Sequence, residues 1–174
     1  SHGHYDHTGG LIPVLKEHGG QLPVYLHESA FNEKFAQRQP GMMLPIGLAK
    51  QRPDYEDAGA RFEYVSGYSS VAESIYALCE VKHPEGWEPW DRMLKASVAG
   101  EIKTDPFKDD LSLMIETSSG PVVLLGCAHA GMVEILDQIS EASGHREFHA
   151  VIGGTHLGSA TDEYVKKAMD AMDR

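Results

Sequence analysis

Four side chains able to bind a metal ion stand close together at the start of the chain. They are His2, His4, Asp6 and His7, in Ser1-His2-Gly3-His4-Tyr5-Asp6-His7-Thr8-Gly9-Gly10. In an extended segment alternate side chains point the same way, so His2 and His4 can share one ion. Asp6 and His7, one step further on, can face a neighbouring ion. Imidazole and carboxylate together suit zinc, manganese, iron or nickel and need no thiolate. Glycines at 3, 9 and 10 let the backbone turn tightly beside such a site. The competing reading is a solvated histidine-rich end or the scar of an expression tag. A tag is a monotonous histidine run. Here an aspartate is interleaved, and Thr-Gly-Gly and an amphipathic segment follow, which favours ligation.

Further histidines sit in similar surroundings. His129, in Gly126-Cys127-Ala128-His129-Ala130-Gly131, comes directly after an apolar strand pattern. A metal ligand is favoured there over a buried histidine satisfied by backbone. His156, in Gly153-Gly154-Thr155-His156-Leu157-Gly158, has the same context one strand–helix unit later. Ligation and a supporting or substrate contact are equally open for it. Cys127 can bind metal or act as a nucleophile, but small buried cysteines are common and core packing leads. Asp109 and Asp110 can bridge two ions, orient a ligating histidine or cap a turn, with Asp110 ahead because it abuts a strand. His18, His27, His83, His145 and His149 read as ordinary surface histidines, His27 being a mild exception because it follows a strand near the opening motif. Lys103 and Lys108 can receive a substrate phosphate or neutralise acidic neighbours.

Positioning these side chains falls to alternating strands and helices. Leu11, Ile12, Val14 and Leu15 have helical spacing that stops at Gly19-Gly20, with Pro13 tolerated in the first turn. Residues 23–26 make a short strand pattern, residues 28–37 a modest helix, and residues 61–65 alternate as a strand. Residues 38–58, rich in Pro, Gly and Met, read as a long loop or lid. Residues 67–104 carry little pattern beyond a turn at His83-Pro84-Glu85-Gly86. The grammar then sharpens. Residues 111–117 and 121–125 form a hairpin, and Met132, Ile135, Leu136 and Ile139 mark a helix closed by Gly144. A strand at 149–152 and a last helix capped by Ser159 or Thr161 complete the series. In layered α/β folds ligand sites gather where strands end and small-residue loops begin. Here each such junction carries histidine.

At 174 residues the chain corresponds to about one domain, and its 41% hydrophobic content is enough for a core. No apolar run approaches the roughly 18 residues that span a bilayer, so a membrane protein is not expected. Twenty-six acidic against 15 basic residues leave a formal charge of -11. Such a surface repels phosphate backbones and anionic lipid, which disfavours bulk nucleic acid and membranes as partners. A small-molecule substrate remains compatible, and the oligomeric state is not set. Cys79 and Cys127 make at most one disulfide, and no basic-then-apolar leader is present. A reducing cytoplasm is therefore the default location. No Ser-His-Asp order, P-loop or dinucleotide fingerprint is found.

The opening segment resembles the HxHxDH signature of the metallo-β-lactamase fold superfamily. Asp105-Pro106-Phe107-Lys108-Asp109-Asp110-Leu111, the loop around His129 and Gly153-Gly154-Thr155-His156-Leu157 are similar to one branch of it. That branch comprises metal-dependent hydrolases akin to the archaeal dihydropterin–ribofuranosylaminobenzene phosphate synthase. The resemblance covers residues 1–37 and about 104–160. It implies an α/β chain, part of a four-layer αβ/βα sandwich with a binuclear site on one edge. It further implies that His2, His4 and His129 bind a first divalent ion and Asp6 and His7 a second. Asp6 doubles as a proton acceptor, so Asp6 and His129 stand closest to the reaction. His156 falls where many members place a bridging aspartate and joins the ligand set. Two zinc ions are the first candidates, with manganese, iron or nickel compatible. Complete members carry a β-rich segment before the motif and a further histidine after the last helix. Residues 1–174 are therefore expected to be an incomplete domain, with a variable insert or lid at about 38–104.

Two adjoining ions held by His and Asp lower the pKa of a shared water toward neutrality and polarise the bond under attack. The expected activity is hydrolysis, by a metal-bound hydroxide, of a small, phosphorylated or pterin-like metabolite. The alternatives are a pterin-related synthase, a transferase of the same fold, and a non-catalytic metal-binding fragment that is inactive alone.

Overall fold

In the computed structural model, which describes residues 1–172, the opening motif winds into a single helical turn, α1 (Tyr5–Thr8). The Tyr5 N–H donates to the Ile46 carbonyl at 2.8 Å, tying this turn to the body of the chain. α2 (Leu11–His18) follows and buries Leu15. It ends where Gly19, at φ 70°, returns its N–H to the Leu15 carbonyl, a left-handed close that glycine makes without strain. β1 (Leu22–Leu26) pairs in parallel with β4 (Ala60–Tyr64), and α3 (Arg52–Asp57) leads into the latter. Leu15, Tyr55 and Ala60, flanked by Leu11, Ile12 and Phe62, form a small core that seats α2 and α3 on this strand pair.

The larger sheet joins β5 (Tyr68–Ala72), β6 (Ile75–Leu78), β9 (Ser112–Ile115), β10 (Val122–Leu125) and β11 (Ala150–Gly153), in the order β11-β10-β9-β6-β5. β10 and β11 are parallel, and the other pairs are antiparallel. α4 (Met132–Ser143) and α5 (Asp162–Met172) cover it. On α4 the buried residues Met132, Val133, Ile135, Leu136 and Ile139 trace one helical face, and they meet Met114, Val123 and Leu125 from the strands. A third, antiparallel sheet runs β3 (Met42–Pro45), β2 (Lys34–Gln39), β7 (Leu94–Val98), β8 (Glu101–Thr104). Among the described residues no helix is long and apolar enough to cross a membrane.

Several local expectations are corrected. Residues 28–37 are not a helix: a single 3-10 turn at Glu28–Phe31 gives way at the extended Asn32 to β2. The ladder hydrogen bonds offered by β3 and β7 outweigh the helix propensity of this short polar stretch. Residues 38–58 are not a loop, because they contain β3 and α3, the latter opened by a Gln51–Asp54 capping box. The stretch 38–104 supplies β4 to the strand pair, β5 and β6 to the five-stranded sheet, and β3, β7 and β8 to the third sheet. The last helix is capped by Thr161, whose hydroxyl accepts the Tyr164 N–H at 3.2 Å.

Candidate metal centre

The opening turn, the loop after β10 and the loop after β11 bring their imidazoles to one place. The ring centroid of His2 lies 4.1 Å from His4, 4.5 Å from His7 and 4.6 Å from His129. His4 and His129 are 5.7 Å apart, and His156 lies 3.7 Å from His129. His2, His4 and His129 are buried. Both nitrogens of His2, Nε2 of His4 and Nδ1 of His129 are shielded from solvent and have no hydrogen-bond partner among the described residues. Leaving a buried polar atom unmade costs about 1–3 kcal/mol each, so convergent lone pairs of this kind need a partner. Burial, reinforced by the neighbouring imidazoles, drives His2 far below the usual histidine range. Burial, then His156 and His4, lower His129 to about 2. Both rings are neutral at pH 7, the form that ligates metal. This donor set fits a divalent cation.

A buried charge network fixes the cluster from behind. Lys34, at the start of β2, donates from Nζ to Asp109 Oδ1 at 2.7 Å and Asp105 Oδ2 at 2.9 Å. Asp109 Oδ2 accepts the Gly3 N–H at 2.7 Å, between the two first histidines. Asp105 Oδ2 faces His4 Nε2 at 3.9 Å, and its Oδ1 accepts the Phe107 N–H at 2.8 Å. Burial works to raise the Asp105 pKa, yet the facing His4 and the Lys34 ammonium hold it at about 2. Burial likewise works to lower Lys34, and Asp109 and Asp105 override it upward. Gly3 is required here, because a Cβ would collide with the Ala30 carbonyl. Phe107, at φ 49°, lays its ring parallel to His129 at 4.3 Å, an apolar wall against the cluster.

The remaining residues singled out from sequence fall as follows. Asp6 is exposed at the rim, its Oδ2 3.8 Å from His7 Nε2. His156 sits at φ 41°, with Nδ1 3.8 Å from Cys127 Sγ and Nε2 3.5 Å from Asp91 Oδ2. A Cβ at Gly153 would strike the Leu125 carbonyl, so only glycine lets the two strand-end loops press together beneath His156. Cys127 is not a core residue: it is half-buried, and its Sγ lies among the ligand atoms of His2 and His129, all within 4.8 Å of one another. Asp109 and Asp110 hold backbone, Asp110 accepting the Ala130 N–H at 2.9 Å.

His27 is not a surface histidine. It is 6% exposed, its Nδ1 accepting the Ser29 N–H at 3.2 Å and its Nε2 lying 3.3 Å from Glu80. His83 stacks on Trp87 at 3.5 Å. Lys103 is paired with Glu101 at 2.6 Å. Four contributors were missed: Lys34, Asp105, Phe107 and Asp91. Asp105 and Phe107 stood inside a quoted motif, whereas Lys34 was hidden in a stretch read as helix. A cleft of about 200 Å³ opens over His2 and His7, lined by Leu11, Val24, Leu26 and Phe62 among others.

No family model matches the chain. Over its whole length it is 31% identical to 7,8-dihydropterin-6-methyl-4-(beta-D-ribofuranosyl)-aminobenzene-5'-phosphate synthase of Methanocaldococcus jannaschii, covering 60% of that protein. It is 26% identical to MJ0448, an uncharacterized protein of the same organism, over 98% of the chain and 61% of the relative. The crystal structure of Tm1679, a metal-dependent hydrolase of the beta-lactamase superfamily, matches 99% of the chain and 62% of its own with a TM-score of 0.79 and 25% identity. The chain thus spans about 60% of the length of the curated relatives it matches. Likeness that runs the length of the chain in sequence, and nearly all of it in structure, gives the chain the α/β fold of that superfamily's metal-dependent hydrolase.

Proposed function

We propose that the chain carries the metal centre of a divalent-metal-dependent enzyme that hydrolyses a small, phosphorylated or pterin-like metabolite. The observation behind this reading is the convergence of His2, His4, His7 and His129, with the ring nitrogens of His2, Nε2 of His4 and Nδ1 of His129 buried and without a hydrogen-bond partner among the described residues. In this reading His2, His4 and His129 hold one ion, while Asp6, His7 and His156 serve a second. Bound divalent ions polarise a phosphoryl or acyl oxygen and bring the pKa of water near neutrality. Zinc suits the imidazoles best, with manganese, iron or nickel compatible.

The chain's own residues do the rest. Phe107 excludes bulk water from one side of the ring cluster. Lys34 holds Asp109, which fixes the Gly3 backbone, and Asp105, whose carboxylate faces the His4 ring. Asp6, exposed beside His7, is placed to accept and return a proton at Oδ2. A cleft of about 200 Å³ with apolar walls takes a small ligand and not a polymer.

A second reading, a pterin-related synthase, is favoured by the 31% identity to a protein of that name along the whole chain. Metal analysis of the protein, followed by assay on an aryl phosphodiester and on a dihydropterin with a ribofuranosylaminobenzene phosphate, separates the two. Two metal equivalents with hydrolysis, both lost in His4→Ala/Asp6→Ala, supports the hydrolase. Condensation without hydrolysis selects the synthase. Metal bound with neither reaction contradicts both.

A further inference from the structure

We propose that Cys127 is a thiolate ligand of the metal centre, an inference that rests on the metal reading above and adds a residue to it. The Cys127 Sγ, a His2 ring nitrogen and a His129 ring nitrogen all lie within 4.8 Å of one another, a spread that one ion can gather. His4 stands beside this triangle, its Nε2 aimed at Asp105 at 3.9 Å. An independent observation points to the same space. His2 is 4% exposed and, among the described residues, neither of its nitrogens has a hydrogen-bond partner, so a buried imidazole able to offer one lone pair is held next to the sulfur.

The loop that carries Cys127 is built to hold it there. Ala128 takes a positive φ of 57°, and the Ala130 N–H is fixed on Asp110 at 2.9 Å. Gly154 brings the neighbouring loop close enough that a Cβ would lie 3.1 Å from the Cys127 Cα. The other cysteine shows the contrast. Cys79 is fully buried and its thiol donates to the Val65 carbonyl at 3.4 Å, a structural role. The Cys127 thiol, by contrast, makes a long 3.8 Å approach to His156 Nδ1 as its hydrogen-bond contact among the described residues. On coordination the S–H bond breaks, a sulfur–metal bond forms, and one proton leaves to solvent. A thiolate also tilts the site toward zinc, cobalt or ferrous iron and away from magnesium or manganese.

The test is cobalt(II) titration of the metal-free protein, followed by absorption spectroscopy. A thiolate-to-cobalt charge-transfer band in the near ultraviolet, kept in Cys79→Ser and lost in Cys127→Ser, is the expected result. Cobalt affinity in Cys127→Ser falls by more than the roughly 10–100-fold that loss of an outer contact costs. Zinc also protects Cys127 of the unaltered protein from iodoacetamide, a readout independent of any variant's folding. Visible d–d bands with no charge-transfer band, or a band that survives in Cys127→Ser, overturn the ligand role and leave the imidazole site standing. Failure to bind cobalt at all overturns both readings.

Discussion

Packing neutral imidazoles side by side gives the metal-free protein a distinctive response to acid. His2 and His129 are held below their ordinary value of 6.5, first by burial and then by one another's neighbours. Below that value the unfolded chain takes up protons that the folded chain refuses. Stability is therefore fully present above about pH 6.5 and is lost as the pH falls, by up to about 1.4 kcal/mol per pH unit for each ring. Urea unfolding of metal-free protein between pH 7 and 5 measures this slope, and His129→Asn flattens it by about half. A flat profile contradicts the burial of neutral rings. Asp105 adds a later limb: held at about 2 against an ordinary 3.8, its contribution is lost as the pH falls through that interval. Lys34 supplies a second prediction at this scale. Lys34→Met strands two buried carboxylates and costs about 3–5 kcal/mol in denaturant unfolding. Lys103→Met, at an exposed pair, changes stability little.

Between α4 and α5 the tie is polar as well as apolar. The buried Tyr164 hydroxyl donates to Glu134, accepts the Val133 N–H at 3.2 Å, and sits beside the Lys167–Glu134 pair at 3.0 Å. Tyr164→Phe leaves the Val133 N–H without its acceptor and costs about 1–3 kcal/mol in thermal or urea unfolding. No measurable loss would show that this tie is not used. The elements around it were legible because their sequences are periodic. Ile135 and Ile139 mark the buried face of α4, and Val122–Leu125 reads as a strand buried in the sheet. β2, β5 and β8 were not legible. Lys34-Phe35-Ala36-Gln37 and Tyr68-Ser69-Ser70-Val71 alternate weakly; β2 also depends on pairing with the distant β7, while β5 and β8 are edge strands that pair only with their sequence neighbours β6 and β7, so little burial marks them in the sequence. For the same reason the motif histidines were found and Lys34, which braces them from β2, was not.

Across the whole molecule, residues far apart in sequence build one site: His2 and His4 from the opening turn, Asp105 to Asp109 before β9, and His129 and His156 after β10 and β11. Binding a cation there is linked to folding, because the unfolded chain has no preformed site. Zinc at about a hundred times its dissociation constant therefore adds about 2.7 kcal/mol to stability, read as a rise in the thermal midpoint, and His2→Ala removes the effect. The most direct measurement is anomalous X-ray diffraction at the zinc edge from crystals of the zinc-loaded protein. The account predicts a peak within about 2.0–2.3 Å of nitrogens of both His2 and His129. Zinc found only on exposed histidines such as His18 or His149, with the His2–His129 cluster lacking any peak, contradicts it.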